Sequence, residues 1–291
     1  MRTVGIITRP AAGRGFETGL GELGWVEGKN VRFERREYTD TQQLAKLAAD
    51  LTRLQVDVIF AGGAASTRAA MQATKTIPIV TVSADPVATG FVASLARPGA
   101  NVTGLAILNT QLSGKRLELL IQALPAARRV AFLTNPANPS TPLMRQETEA
   151  QARASGVTII HFEANAPARI APTMEAVAKA RPDALLVASD PLFIVAQQQM
   201  LAATARYGLP AMWEWRGFVD AGGLLAYGGD PNDLYRRAAT YVDRILKGTK
   251  PGDLPVEQAT KIELSINLKT ARVLGIAMPS HVLLRADHVV Q

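Results

Sequence analysis

The sequence predicts an α/β protein with two Rossmann-like lobes, each built on a doubly wound parallel sheet. Short β-branched runs alternate with longer amphipathic runs rich in Ala and Leu, which is the pattern of strands followed by covering helices. The alternation runs from Val4 to about Ala106 and starts again near Ser113. With 291 residues, 47% of them hydrophobic, the chain can bury two cores of about 100–150 residues each.

The first lobe opens with a strand at Val4–Ile7, a helix that ends near Gly24, and an alternating strand at Val31–Glu37. Val56–Ala61 is a continuous apolar run, which is typical of a strand buried on both faces. The other elements predicted here are a helix capped by Thr39 or Asp40, a helix over Ser66–Thr74, and strands at Ile77–Val82 and Val102–Ala106.

The second lobe repeats the alternation, and three of its four predicted helices begin at a proline. Its predicted strands are Val130–Thr134, Val157–Phe162, Ala184–Ala188 and Pro210–Trp213. Its predicted helices are Ser113–Ala123, Pro142–Ser155, Pro172–Ala180 and Pro191–Tyr207.

The tail departs from the alternation, because the strand Leu224–Tyr227 is followed by an unusually long helix, Pro231–Leu246. A last strand and helix are predicted at Lys261–Asn267 and Leu268–Leu274. This arrangement indicates that the chain returns to the first lobe. We therefore predict one lobe from residues 1–107 and 229–257 and the other from residues 108–228 and 258–291. Several crossings favour a hinge, near residues 105–110, 227–230 and 254–258.

Composition excludes several classes of site. The chain has no cysteine and three histidines, so thiolate chemistry and cysteine metal sites are absent and we predict no metal and no cofactor. The net charge is +7, but Lys and Arg are scattered instead of forming a stripe, so we predict a solvated basic surface and no nucleic-acid partner. No run of about 18 apolar residues predicts a membrane span.

Ligands of open parallel sheets bind at the carboxyl ends of the strands, beside helix N-termini. We therefore predict the ligand site from residues at or just after the ends of the predicted strands. These are Ala65, Ser66, Thr67, Ser83, Asp85, Asn135, Asp190, Trp213 and Tyr227.

Each of these positions also has a purely structural interpretation. The turn before Ser66 and Thr67 could offer N–H groups and hydroxyls to a carboxylate, or Ser66 could simply cap a helix. Asp85 and Asp190 each precede a proline, so each could cap the next helix or accept a ligand ammonium group. The aromatic residues Trp213 and Tyr227 could stack on a ligand or pack the core.

The sequence offers little for catalysis, and we predict that the protein is not an enzyme. No Gly-x-Ser-x-Gly elbow and no Ser-His-Asp set is apparent. The predicted carboxylates have no candidate nucleophile beside them.

Motifs along nearly the whole chain carry a family resemblance. They include LGWVEGKNV at 23–31, SLARPGANVTG at 94–104, LSGKRLELL at 112–120, NPANP at 135–139 and INLKTA at 266–271. With these, the chain resembles the ABC transporter substrate-binding proteins related to the tryptophan and aromatic amino-acid binders of bacterial uptake operons.

The resemblance implies a type I periplasmic binding fold that closes on a small ligand, an amino acid or another small carboxylate, in the cleft between its lobes. It implies a membrane permease and an ATPase as partners, a monomer, and a periplasmic location. Two departures stand out. The chain carries no export signal at its start, which would mean a cytoplasmic protein if this were its natural beginning. Only about fifteen residues separate Ile7 from Leu23, so the first helix is expected to be short.

Two other functions are compatible with such a fold. One is an intracellular ligand sensor or regulatory subunit, although no helix-turn-helix precedes Val4. The other is an enzyme on a double Rossmann scaffold, which a bound cofactor or a turnover assay would reveal.

Overall fold

The structure is a computed structural model that describes residues 1–10, 13–107, 109–258 and 262–291. The chain divides into two compact units. Unit 1 comprises residues 1–108, 138–140 and 231–259, and unit 2 comprises residues 109–137, 141–230 and 260–291. Residue 108, which falls in the first predicted hinge segment, lies outside the described residues.

The strands follow the predicted alternation with helices. They are β1 (Arg2–Thr8), β2 (Val31–Glu37), β3 (Val58–Ala61), β4 (Ile79–Ala84), β5 (Val102–Ile107), β6 (Arg129–Thr134), β7 (Thr158–Glu163), β8 (Ala184–Val187), β9 (Ala211–Trp213), β10 (Leu225–Gly228), β11 (Glu257–Gln258), β12 (Glu263–Asn267) and β13 (His288–Val290).

The helices lie between these strands, with short 3₁₀ turns at Thr41–Gln43 and Pro251–Asp253. They are α1 (Arg14–Glu22), α2 (Leu44–Arg53), α3 (Ala64–Ala73), α4 (Asn109–Ala123), α5 (Thr141–Ser155), α6 (Pro167–Ala180), α7 (Pro191–Val195), α8 (Gln197–Tyr207), α9 (Arg216–Asp220), α10 (Pro231–Leu246), α11 (Leu268–Val273) and α12 (Ser280–Leu283).

Unit 1 contains a parallel sheet in the order β11-β5-β4-β3-β1-β2. β3 and β4 are buried along their whole length, because α1 and α10 cover one face and α2 and α3 the other. Helices α1 and α10 approach closely at Gly19, where a Cβ atom would lie 2.5 Å from the Arg236 carbonyl oxygen. A residue larger than glycine would therefore push α10 away from α1.

Unit 2 contains a sheet in the order β13-β12-β10-β9-β8-β6-β7. Its pairs are parallel except β10 with β12, which are antiparallel. A single core cluster includes the buried side chains of β6, β8 and β9 together with residues of the covering helices. The predicted α/β class with two doubly wound, mainly parallel sheets is confirmed.

Some predicted helix bounds in unit 2 are wrong for identifiable reasons. Pro172 does not begin a helix but lies inside α6, because Pro167 already occupies the first turn. Ile170, Met174 and Val177 of α6 are buried in the core, and this packing stabilises the helix although Pro172 can donate no backbone hydrogen bond. The helix predicted from Pro191 to Tyr207 is two helices, divided at Ala196.

Candidate functional site

Residues at the carboxyl ends of the parallel strands gather at one edge of each sheet, which we call the carboxyl edge of that unit. In unit 1 this edge begins after Thr8 of β1, Ala61 of β3 and Ala84 of β4. In unit 2 it begins after Thr134 of β6 and Val187 of β8 and continues to the ends of β9 and β10. All of the predicted ligand-binding residues lie at or next to these two edges.

The turn between β3 and α3 differs from its predicted structure. Gly63, with φ +134°, precedes the helix, which begins at Ala64, so the predicted cap by Ser66 is wrong. The hydroxyls of Ser66 and Thr67 both donate to the Gly63 carbonyl, at 2.9 and 2.8 Å. Their protons are thus used within unit 1. The N–H groups of Ala64, Ala65 and Ser66 remain at the start of the helix without intrahelical acceptors.

Thr67 is fully buried and also contacts Thr81 of the neighbouring strand, with 2.6 Å between the two hydroxyl oxygens. Its side chain therefore connects α3 to β4. Ser83 is likewise buried, and its hydroxyl has no hydrogen-bond partner within the described residues. Of the hydroxyls predicted at this edge, that of Ser83 is the one whose donor stays open to an additional acceptor.

Asp85 does not cap a helix, in contrast to the structural interpretation of its sequence position. It begins a turn, in which the amide and hydroxyl of Thr89 both donate to the Asp85 carbonyl at 2.9 Å. Its φ is +40° and Pro86 follows it. A left-handed conformation of a non-glycine residue costs on the order of 1–3 kcal/mol, so the turn holds Asp85 at the carboxyl edge against a local preference.

Arg9 is a prominent residue of unit 1 that the predicted site does not include. It follows β1 directly and is 2% exposed. Its Nη1 donates to the Thr39 carbonyl at 2.8 Å, and its guanidinium lies 4.9 Å from the centre of the Tyr38 ring. Its Nε has no partner, and no carboxylate lies within 4.0 Å, among the described residues. Arg9 is therefore a buried positive charge without an ion pair in that part of the chain.

The other buried charge of unit 1 is compensated. Asp243 of α10 accepts a hydrogen bond from the Trp25 indole at 2.9 Å and forms an ion pair with Lys247 at 2.8 Å. Unlike Asp243, Arg9 therefore has a charge that an anionic ligand group could neutralise.

Asp190 and Asn135 come together in unit 2, as their positions after β8 and β6 predict. Asp190 is 4% exposed. One carboxylate oxygen accepts the Leu192 amide at 2.7 Å and caps α7, while the other accepts the Asn135 side-chain amide at 3.1 Å. The cap interpretation of Asp190 agrees with this geometry, and a negative charge stays at the carboxyl edge.

Glu214 follows β9 and is a second buried carboxylate at this edge, which the predicted site also omits. It is 8% exposed, and Oε2 accepts a hydrogen bond from the Ser189 hydroxyl. Its Oε1 has no hydrogen-bond partner in the described part of the chain. Burial, followed by the negative charge of Asp190, raises the pKa of Glu214 to about 8, while Arg116 opposes the shift.

Arg116 of α4 lies on the same buried cluster and is 1% exposed. Its Nε donates to the Tyr227 carbonyl at 2.7 Å. Burial lowers the pKa of Arg116 to about 10 against the influence of Glu214, so the guanidinium stays charged at neutral pH. Gly228 makes this packing possible, because a Cβ there would lie 1.9 Å from the Glu214 carbonyl oxygen and 3.0 Å from the guanidinium.

The two predicted aromatic residues have different surroundings. Trp213 is fully buried in the core of unit 2 and stacks on Phe218, with 4.4 Å between the ring centres. Its expected role as a ligand-stacking surface does not agree with this burial, and core packing is the interpretation that the structure supports. Tyr227 and Trp215 are half-buried beside the core cluster, so each retains some accessible surface.

A separate groove of about 350 Å³ runs along α5. It is lined by Pro136, Thr141, Pro142, Arg145, Gln146, Glu149 and Arg153. Arg145 already contacts Glu163 and Thr134, and most of the lining residues belong to α5. It shares no residue with the predicted site.

The described residues contain no group of three or more His, Asp or Glu side chains placed to hold a metal ion. Within the same residues, no helix is both long and apolar enough to cross a membrane.

Comparisons with known proteins agree with this architecture. The family model described as ABC transporter substrate binding protein matches residues 7–290. A tyrosine-binding protein of Clostridioides difficile strain R20291 is 26% identical over 268 residues, which cover 91% of this chain and 76% of that protein.

Two solved structures have the same fold over almost their whole length. A conserved domain protein from Vibrio cholerae O1 biovar eltor is 27% identical, with a TM-score of 0.90 and 99% of each chain covered. A domain from Streptococcus pneumoniae in complex with L-Trp is 24% identical, with a TM-score of 0.88 and the same coverage. The type I periplasmic binding fold is thereby confirmed.

Proposed function

The chain belongs to the ABC transporter substrate-binding protein family, and from this premise we propose that it is the solute-binding component of an ABC importer for an amino acid with an aromatic side chain. In this role it binds the solute, delivers it to a permease driven by an ATPase, and catalyses no reaction. The proposed location is the periplasm, where the protein acts as a monomer.

The observation that carries the proposal is that the two carboxyl edges bury different ionisable groups, a cation in unit 1 and two carboxylic acids beside a cation in unit 2. Unit 1 contributes the buried Arg9 and the N-terminus of α3, both of which favour a negative group. Unit 2 contributes two carboxylic acids, Asp190 and Glu214, beside Arg116, so that it can compensate an ammonium group when both acids are ionised. Because buried charges must be compensated, the two edges together suit a zwitterion, with its carboxylate at the first edge and its ammonium group at the second.

Support for an aromatic ligand comes from two sources. Relatives of this chain include a tyrosine-binding protein and a domain solved with L-Trp. Trp215 and Tyr227 of unit 2 are only partly buried, and aromatic side chains stack favourably on aromatic rings.

The proposed mechanism is closure of the two lobes on the solute. The chain changes unit after residues 108, 137, 140, 230 and 259, and crossings between lobes are where hinges form. A zwitterion that contacts both lobes stabilises the closed form, because each of its charged groups has its partner on a different lobe.

The experiment is a ligand screen with the purified protein. The melting temperature is measured with each of the twenty L-amino acids and with galactose as a neutral comparison, and hits are followed by calorimetry. We expect L-tyrosine or L-tryptophan to raise the melting temperature most, because a ligand that binds only the folded state stabilises it in proportion to the logarithm of its concentration. Stabilisation by galactose alone would replace the amino-acid proposal by sugar binding.

A further inference from the structure

The buried ionisable side chains of unit 2 form one cluster at its carboxyl edge. They are Arg116 from α4, Asp190 from the turn after β8, and Glu214 after β9. With both carboxylates ionised, the cluster carries a net charge of −1. A buried net charge is unfavourable, so a proton or a cationic ligand group is needed to complete it.

We propose that Glu214 is a second carboxylate of the ligand site and that the ligand's ammonium group replaces a proton which Glu214 carries in the free protein. The proposal rests on the proposed function, since it takes the ligand to be an amino acid. In this proposal, binding of the ligand to the protein releases a proton.

The geometry explains why Glu214 is the carboxylate that exchanges its proton. Both oxygens of Asp190 accept hydrogen bonds from the Leu192 amide and Asn135. In contrast, Glu214 uses Oε2 for the Ser189 hydroxyl, while Oε1 is buried without a partner in the described residues. A buried carboxylate oxygen without a donor is costly, and a bound proton or an ammonium N–H removes that cost.

The groups that face Glu214 set its protonation. Burial favours the protonated form, Arg116 from α4 favours the ionised form, the charge of Asp190 favours the protonated form, and the backbone amide of Asp190 favours the ionised form. Ser189 donates its hydroxyl proton, and Tyr227 of β10 presents its carbonyl to Arg116. Burial is the largest of these influences and raises the pKa of Glu214 to about 8. Glu214 therefore holds a proton at neutral pH while the cluster is empty of ligand.

The charge of the cluster is then zero in both states. In the free protein the positive Arg116 offsets Asp190, and Glu214 is neutral. In the complex both carboxylates are ionised, and Arg116 together with the ligand ammonium group offsets them. The O–H bond of Glu214 breaks as the ammonium group arrives, and its proton passes to the solvent.

The first test needs no ligand and compares the unfolding of wild type, Glu214→Gln and Glu175→Gln. Because the pKa of Glu214 is about 8 when folded and 4.5 ordinarily, the folded protein holds one proton more than the unfolded chain between these values. Its stability therefore falls as pH rises through this window, and the unfolding constant rises about tenfold per pH unit from this group. Glu214→Gln should lose that contribution. Glu175 is exposed on α6 and forms an ion pair with Lys179. Glu175→Gln is therefore the matched control, and its unfolding constant should keep the pH dependence of the wild type.

The second test is calorimetric titration of the same three proteins with L-tyrosine and with L-tryptophan. Titrations in phosphate and in Tris, whose ionisation enthalpies differ, give the number of protons released. We expect the wild type and Glu175→Gln to release close to one proton per ligand near neutral pH. At pH values below the pKa of Glu214, their dissociation constants should fall about tenfold for each unit by which the pH is raised. Glu214→Gln should release none and show no such slope.

The outcomes separate this proposal from the proposed function. Binding of either amino acid without proton release, with equal affinity in Glu214→Gln, overturns the proton exchange and leaves amino-acid binding intact. If neither the two ligands nor any other amino acid of the screen binds, the proposed function fails and the exchange fails with it. An unfolding slope that is unchanged in Glu214→Gln overturns the proposal whatever the ligand.

Discussion

The two units present the same architectural feature, the carboxyl edge of a sheet, with different buried ionisable groups. Unit 1 places one buried cation, Arg9, after β1 and the start of α3 after β3. Unit 2 places two carboxylic acids, Asp190 and Glu214, after β8 and β9, beside the buried Arg116. The sheet thus determines where polar groups gather, while single residues after each strand determine which charge that position carries. Substitutions that change one edge and not the other test this contrast.

The largest effect is expected for Asp190→Asn. Removing one partner of a buried charge pair costs about 3–5 kcal/mol, so the affinity for an amino acid should fall at least a hundredfold. The melting temperature should change little, because asparagine caps helices nearly as well as aspartate and Glu214 can lose its proton to offset Arg116 in the free variant. Calorimetry and thermal unfolding measure the two quantities.

The control for this variant lies at the opposite end of the same strand. Asp183 precedes β8 and accepts the amides of Arg128 and Arg129 at 2.7 and 2.8 Å. Asp183→Asn should leave the affinity unchanged. If Asp190→Asn binds the amino acid as tightly as Asp183→Asn and the wild type, Asp190 is only a helix cap.

The next largest effect is expected for Arg9→Met, which removes the cation of unit 1 and keeps a long side chain. Hydrogen bonds to charged groups contribute about 1.5–3 kcal/mol, and the free energy of binding an amino acid should weaken by that amount. The free energy of unfolding should not fall, because the free protein no longer buries a charge without an ion pair. Arg14→Met on the exposed side of α1 is the control, with no expected change. A variant that is less stable but binds normally would make Arg9 a structural residue.

Gly228→Ala should lower the free energy of unfolding by about 1–3 kcal/mol, the usual cost of overpacking. The added Cβ would collide with the Glu214 carbonyl oxygen and crowd Arg116. Gly21→Ala in α1 is the matched control, because a Cβ there meets no atom within 4 Å, and it should raise the stability by about 0.5–1 kcal/mol. Chemical denaturation measures both, and an equal response of the two variants would contradict the close packing at Gly228.

The smallest effect on binding is expected for Thr67→Val. The substitution removes the hydrogen bonds to Gly63 and Thr81, which should lower the stability by about 1 kcal/mol. The affinity for an amino acid should stay within a few-fold of wild type, because the hydroxyl proton points to a carbonyl of its own unit. A large loss of affinity without a loss of stability would restore Thr67 as a ligand contact.

The sequence predicts elements well where a long periodic pattern has clear ends. β2 and α10 have the bounds Val31–Glu37 and Pro231–Leu246 that the sequence predicts. Short elements such as α9 and α12, with five and four residues, are too brief to show a period and are missed. The fold class predicts that polar groups gather at the carboxyl ends of the strands, so the positions of Asn135 and Asp190 could be predicted from the sequence.

Burial of individual charges is the part that the sequence does not reveal. Arg116 lies in a helix among Lys115 and Glu118, and its sequence context is that of an exposed arginine. Only the packing of α4 against β10 places it in the interior, at the Tyr227 carbonyl. For the same reason Trp213, at the end of a three-residue strand, could not be assigned to the core or to the ligand before the structure.

The packing of α10 against α1 has a consequence for the order in which the chain folds. The apolar core of unit 1 includes Leu234, Ala238 and Val242 from α10 beside Phe16 and Leu20 from α1. These partners are separated by more than 200 positions, and most of unit 2 is synthesised between them. Contacts over such distances in sequence form slowly, because a large loop must close first. A nascent chain that has not yet reached Pro231 therefore exposes the apolar face of its first sheet, whereas the strands β6 to β9 of unit 2 can already pair.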